Sequence, residues 1–248
     1  MSTLILALAA GAVIGLALGA LGGGGSVLAV PALIHLLGFT PVAATTASLL
    51  IVTATSATAL VAHAREGNVR WLTGSLFAAA GILPALLTGV LAARVPDALL
   101  SGAFAVVALM AALRMLLPRS VSDGAREVRA VPAAAAGAGL GAVTGFLGVG
   151  GGFLAVPALV SVLGLRMRLA VGTSLLVITV NSLAALAART GMAGGLDWSV
   201  VAPFAGAAVL GAWDGKRLSA RVPGGMLQRV FAVVLLAVAL YMLIDAMA

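Results

Sequence analysis

The chain has 248 residues, of which 62% are hydrophobic and 8% charged, a balance far outside that of soluble globular domains. Its net charge of +7 rests on 14 Lys and Arg, but these are scattered over short loops with no basic helix or aromatic-basic stripe, so the charge does not read as nucleic-acid binding. The absence of cysteine excludes disulfides, thiolate catalysis and Cys-ligated metals.

Apolar runs of roughly 20 residues, each enough to span a bilayer, follow one another with short polar interruptions. The sequence therefore predicts an all-α polytopic membrane protein with roughly eight to ten membrane segments embedded in the lipid bilayer. Residues 1–20 lack the basic start of a cleavable signal peptide and read as the first membrane helix, from about Thr3 to Leu21.

That helix runs into Gly22, Gly23, Gly24 and Gly25, after which Ser26 to Leu37 reads as a short helix. Glycine loses the most backbone freedom on ordering, so four in succession predict a break. Gly38-Phe39-Thr40-Pro41 is a turn. A hydroxyl-rich helix follows to Ala64, then a polar loop from His63 to Arg70, and two more helices over about Trp71–Ala93 and Ala98–Leu117.

The polar stretch from Pro118 to Arg129 reads as a linker, and from Val131 onward the plan repeats. Residues 1–117 and 131–248 form the two membrane repeats, with 118–130 as a cytoplasmic linker. The second glycine run, Gly148 to Gly152 interrupted by Val149, matches the first. Pro31 maps to Pro157, Gly38 to Gly164, Ser48 to Ser174 and Thr53 to Thr179, an offset of 126 that becomes 127 where Leu91–Pro96 maps to Leu218–Pro223.

The basic residues decide between parallel and inverted halves. If residues 3–37 form one broken crossing, the halves are parallel and Lys and Arg divide evenly between the two sides, against the positive-inside bias. If the chain turns back at the glycines, the halves are inverted and only Arg94 and Arg189 of the 14 lie outside. The second division fits a bacterial-type inner membrane with both termini outside and the linker cytoplasmic.

A backbone break within a bilayer is tolerated only where protein or a water-filled cavity surrounds it. Each break is followed at once by a helix whose first amides are unpaired and carry the positive end of the dipole. Two inverted halves bring two such N-termini toward the midplane, a site for a small anion built from backbone. The expected substrate-binding residues are Gly23, Gly24, Gly25 and Ser26, then Thr45, Thr46 and Ser48, and in the second half Gly150, Gly151, Gly152, Thr173, Ser174 and Asn181. Pro31 and Pro157 are expected to kink the short helices. Gly11, Gly15, Gly139 and Gly141 read as close-packing glycines. His35 reads as a packing or interface residue, and His63 as a loop residue. No acidic residue lies in the middle of a predicted helix, so an enzyme is not expected, nor is a cofactor or a metal site.

The doubled pattern, Gly19-x-Leu21-Gly22 through Val30-Pro31-x-Leu33 and Gly145-x-Leu147-Gly148 through Val156-Pro157-x-Leu159, together with Thr173-Ser174-Leu175-Leu176, resembles the TauE/SafE sulfite exporter family, also called the 4-toluene sulfonate uptake permease family. The first copy departs in having Ser26 where the second has Gly152. The resemblance implies a secondary transporter, in the export direction, of sulfite or a related organosulfonate. A passive anion channel, or a carrier of another small anion, is the alternative of the same architecture. The sequence leaves open proton or sodium coupling and a homodimeric state.

Overall fold

The computed structural model describes residues 2–92, 97–117, 130–146, 152–187 and 196–247. These form ten helices: α1 (Ser2–Leu21), α2 (Gly24–His35), α3 (Pro41–Ala64), α4 (Trp71–Ala92), α5 (Asp97–Leu116), α6 (Ala130–Phe146), α7 (Gly152–Ser161), α8 (Met167–Ala187), α9 (Trp198–Arg221) and α10 (Gly224–Met247). No strand occurs among the described residues. α1, α3, α4 and α8 each contain a segment long and apolar enough to cross a membrane. Leu72, Leu83, Leu87, Val131 and Leu210 point outward, an arrangement suited to lipid and a liability in water.

The inner group is α2, α3, α7 and α8. Around it stand three tight pairs, α1 with α9, α4 with α6 and α5 with α10. Every pair joins a helix from before residue 117 to one from after residue 130. Glycine explains how two of these pairs approach so closely. A Cβ placed on Gly11, Gly15 or Gly19 would overlap the carbonyl of Phe204, Ala208 or Ala212 respectively. These glycines are four apart and so share one face of α1. Their partners advance in step, so α1 and α9 run parallel.

The other glycine-packed pair repeats this contact. A Cβ on Gly137 would overlap the Phe77 carbonyl, and one on Gly141 the Gly81 carbonyl. Gly137 and Gly141 are Gly11 and Gly15 shifted by 126, while Phe77 and Gly81 are Phe204 and Ala208 shifted back by 127. The same register is thus made twice with the two halves exchanging roles. Gly139 does not share it. Nothing lies within 4 Å of where its Cβ would be, because it falls two residues off the packed face, so the close-packing expectation for that residue is corrected.

Further features recur in pairs. Gly38 and Gly164, each in the turn after a short helix, have φ of 70° and 68°, a left-handed conformation that glycine adopts without Cβ strain. Phe39 N donates to the Leu33 carbonyl and Leu165 N to the Leu159 carbonyl, both at 3.0 Å.

α3 and α8 are antiparallel. Arg70 N, just past the end of α3, donates to Thr173 Oγ1 near the start of α8, while Ser56 further back meets Thr179 further on. The end of α5 meets the start of α10 through Gln228 Nε2 and the Met115 carbonyl. An ion pair between Lys216 of α9 and Glu66 brings the end of α9 to the 65–70 loop. Loops 65–70, 162–166 and 222–223 therefore share one end of the bundle.

Candidate functional site

The first glycine run breaks the helix over two residues rather than four. α1 ends at Leu21, Gly22 N donates to the Leu18 carbonyl at 2.8 Å, and Gly22 turns the chain with φ of 75°, as glycines that terminate helices do. Gly23 is the N-cap of α2 and offers no side-chain cap. Gly24, Gly25 and Ser26 consequently form the first turn of α2, where amides lack partners within the helix. α2 has 12 residues, about 18 Å at the α-helical rise, too short to cross a core of roughly 30 Å.

The turn is enclosed by the other half of the chain. A Cβ on Gly22 would meet Ser174 Oγ and Val171 Cα of α8 and Val156 Cγ2 of α7, and Gly22 and Gly23 are both buried. His63 closes the remaining side, its Nε2 standing 3.2 Å from the Gly19 carbonyl oxygen. That carbonyl belongs to the last turn of α1, where oxygens lack amide partners within the helix. The imidazole acts as a C-cap supplied from another element.

The second break lies outside the described residues, as do Gly150 and Gly151. Gly152 is the buried first residue of α7. α7 has 10 residues, about 15 Å, and it packs against α2. The two short helices thus meet in the interior of the bundle. Pro31 lies within α2 and Pro157 within α7. A proline removes the amide that would bond the carbonyl four residues back. The environments differ, since Pro31 is exposed and Pro157 buried.

The remaining expected site residues fall into separate groups. Ser174, fully buried, abuts the Gly22 turn and donates to the Val171 carbonyl at 2.8 Å. Thr173 beside it accepts from Arg70 N at 3.1 Å, so its hydroxyl holds the 65–70 loop. Thr46 and Ser48 are buried on the first turns of α3, with Thr45 half-buried. Asn181 lies seven residues beyond Ser174, about 10 Å along α8. It is half-buried, and its Oδ1 is shut off from solvent with no hydrogen-bond partner among the described residues.

Asn181 belongs with a polar cluster where α3 and α8 cross. Thr179 Oγ1 stands 2.9 Å from Ser56 Oγ. Thr53 Oγ1 donates to the Leu49 carbonyl at 2.6 Å and Thr179 Oγ1 to that of Leu175 at 2.7 Å, one contact repeated in the two halves. Thr55 donates back to Ile51 at 2.5 Å. Such local bonds are the usual partners of hydroxyls in membrane helices, whereas Asn181 Oδ1, like His63 Nδ1, has no partner among the described residues.

Sequence reasoning missed two contributors. His63 read as a loop residue, yet it is 3% exposed in the last turn of α3, and only its long-range contact with Gly19 gives it a role. His35 is exposed in the last turn of α2. Ser56 was one hydroxyl among many, and its partner Thr179 is 123 residues away.

Comparison with known proteins gives a consistent answer. The family model described as Sulfite exporter TauE/SafE matches residues 7–242. A "Probable membrane transporter protein" of Xylella fastidiosa strain 9a5c is 34% identical, covering 97% of this chain and 95% of the relative. A second protein of the same description, from strain Temecula1, is 32% identical with the same coverage. No solved structure matches the chain.

Proposed function

The chain belongs to the sulfite exporter TauE/SafE family, a family of membrane transporters, and from that premise we propose that it exports a small sulfur-containing oxyanion such as sulfite or an organosulfonate. The observation that carries this reading is the first hairpin. Gly22 turns the chain, α7 and α8 of the other half enclose the turn, and Gly23, the N-cap from which α2 starts without a side-chain cap, is buried beside it. Amides at a helix start favour an anion, and enclosure by the opposite half ties that site to relative movement of the halves.

We read residues 1–117 and 131–248 as inverted repeats joined by a cytoplasmic linker. The exchange-related contacts Gly11–Phe204 and Gly137–Phe77, with α1 parallel to α9 and α4 to α6, support this reading. So does the charge, since the end of the bundle holding loops 65–70 and 162–166 carries Arg65, Arg70, Arg166 and Arg168, as expected of a cytoplasmic face. The substrate lies between the two short helices, with Gly23–Ser26, Gly150–Gly152 and Ser174 around it, and with Thr45, Thr46, Ser48, Thr173 and Asn181 along its path. Alternating access moves the anion past them without covalent chemistry.

Labelled sulfite flux in proteoliposomes, compared with sulfate and acetate under imposed proton and sodium gradients, tests this function. Saturable sulfite flux that responds to one of the gradients is expected. Flux that neither saturates nor responds would instead describe a passive channel.

A further inference from the structure

A second basic feature lies away from the hairpins. A cavity of about 580 Å³ opens at the end of the bundle that holds loops 65–70 and 162–166, lined by Arg70, Arg166 and Arg168 together with Asn68, Met167 and Gly224. Among the described residues no acidic one lines it. Glu66, the nearest acid in the sequence, is engaged by Lys216 and by Asn68 Nδ2 at 3.3 Å. Arg168 Nη2 donates to the carbonyls of Ala220 and Val222 at 3.0 and 3.3 Å, which fixes the cavity wall. Arg70 and Arg166 are exposed. Helices α8 and α10 begin at the lining residues Met167 and Gly224, and α4 begins directly after Arg70, so their dipoles add to the positive potential.

The internal duplication supplies a control within the same molecule. With the 126/127 offset, Arg166 corresponds to Thr40, Arg168 to Val42, Arg70 to Asp197 and Gly224 to Asp97. The backbone is shared, since Arg166 and Thr40 accept equivalent helix-opening bonds from Ala170 N and Ala44 N at 2.9 and 2.8 Å. The charge is not shared. Where this end carries three arginines and a glycine, the matching positions carry Asp197, Thr40, Val42 and Asp97, with two acids and no cation. A positive-inside requirement explains arginines on one face, but acidic residues contribute little to that rule, and it does not call for three cations around one cavity.

We propose that this cavity is a cytoplasmic vestibule that captures the oxyanion cargo before it reaches the hairpins, an inference resting on the transporter reading and orientation given above. A cleft lined by one sign of charge raises the local concentration of the opposite ion, and its capture rate, by about tenfold or more. Fixed charge cannot set the direction of net flux, which the gradients determine. It lowers the KM from the face that carries it, and the symmetry-related outer mouth lacks that advantage. Anionic lipid phosphate would suit the same guanidinium groups, so the test separates the two sources.

The experiment measures labelled sulfite flux at low ionic strength in everted and right-side-out membrane vesicles, for wild type, R70Q/R166Q and R70K/R166K. The glutamine pair is expected to raise KM about tenfold from the cytoplasmic face, with maximal rate and outer-face KM unchanged. The lysine pair keeps the wild-type KM. Salt at about 1 M, where the screening length is about 3 Å, removes the difference. In proteoliposomes of phosphatidylcholine alone the wild type retains its low-KM component. Absence of sulfite flux from the wild type in either vesicle would overturn the transport reading on which the vestibule stands. Wild-type flux with an unchanged cytoplasmic KM in the glutamine pair, or an equal loss of rate from both faces, would overturn the vestibule alone. A difference that disappears in phosphatidylcholine would assign the cavity to a lipid headgroup and overturn its role in cargo capture.

Discussion

The imidazole Nε2 of His63 lies 3.2 Å from the carbonyl oxygen of Gly19. A carbonyl only accepts, so the proton sits on Nε2 and the bond joins the end of α3 to the last turn of α1 beside the hairpin. His63→Leu keeps the volume apolar and removes the side-chain donor to the buried Gly19 oxygen, a loss of about 1 kcal/mol or more. Thermal unfolding in detergent is expected to show that loss for His63→Leu and much less for His63→Gln, which can still donate. Equal melting of wild type and His63→Leu would remove the capping role.

Gly15 and Gly139 make opposite predictions although both are glycines in apolar helices. Gly15 lies against the Ala208 backbone of α9, whereas the Cβ position of Gly139 is open. Gly15→Leu separates α1 from α9 and is expected to cost about 3 kcal/mol. Gly139→Ala is expected to stabilise by about 0.5–1 kcal/mol, since it replaces a helical glycine without a clash. Unfolding midpoints of the two purified variants decide this. A destabilised Gly139→Ala would contradict the assigned register.

Asn181 separates a functional polar group from a structural one. Its Oδ1 is enclosed without a partner among the described residues, so replacing the amide by an apolar group of similar size is neutral or stabilising for the fold. Asn181→Leu is therefore expected to melt at or above the wild-type temperature while sulfite flux falls about tenfold, as the loss of one hydrogen bond to an anion implies. Unchanged flux would remove Asn181 from the substrate path.

The chain lacks cysteine, which makes its orientation directly readable. A membrane-impermeant maleimide added to intact cells is expected to label Ser199→Cys, at the start of α9, and not Arg65→Cys, at the end of α3. Everted vesicles are expected to reverse the pattern. Labelling of both sites from the same side would contradict the opposed ends of α3 and α9.

Much of this architecture was legible because it is written twice. The spacing of Pro31 and Pro157, and of Gly38 and Gly164, marked the duplication, and the uneven distribution of arginine is the sequence feature on which the proposed inversion rests. The helix limits followed from the loops, although α2 begins at Gly24 rather than near Ser26, because the left-handed turn at Gly22 already completes the break and a helix tolerates glycine in its first turn. The candidate site was legible only in part. Gly22 and Ser174 both stood in motifs, but their contact crosses between the halves, and the bond from Arg70 N to Thr173 Oγ1 likewise joins residues 103 apart. His63 carried no motif at all. Its role depends on a bond spanning 44 residues, which periodicity and composition do not encode.

Sulfite flux through Gly24→Leu and Gly151→Leu proteins in proteoliposomes bears most directly on the hairpin site. A leucine in the first turn of α2, or in the glycine run that precedes α7 in the sequence, is expected to cover amides proposed to face the anion, and each lost charged hydrogen bond implies about tenfold or more in transport efficiency. Both variants are expected to insert and fold, yet to carry sulfite at or near the protein-free leak. Wild-type flux in either would contradict an anion site made from these helix starts.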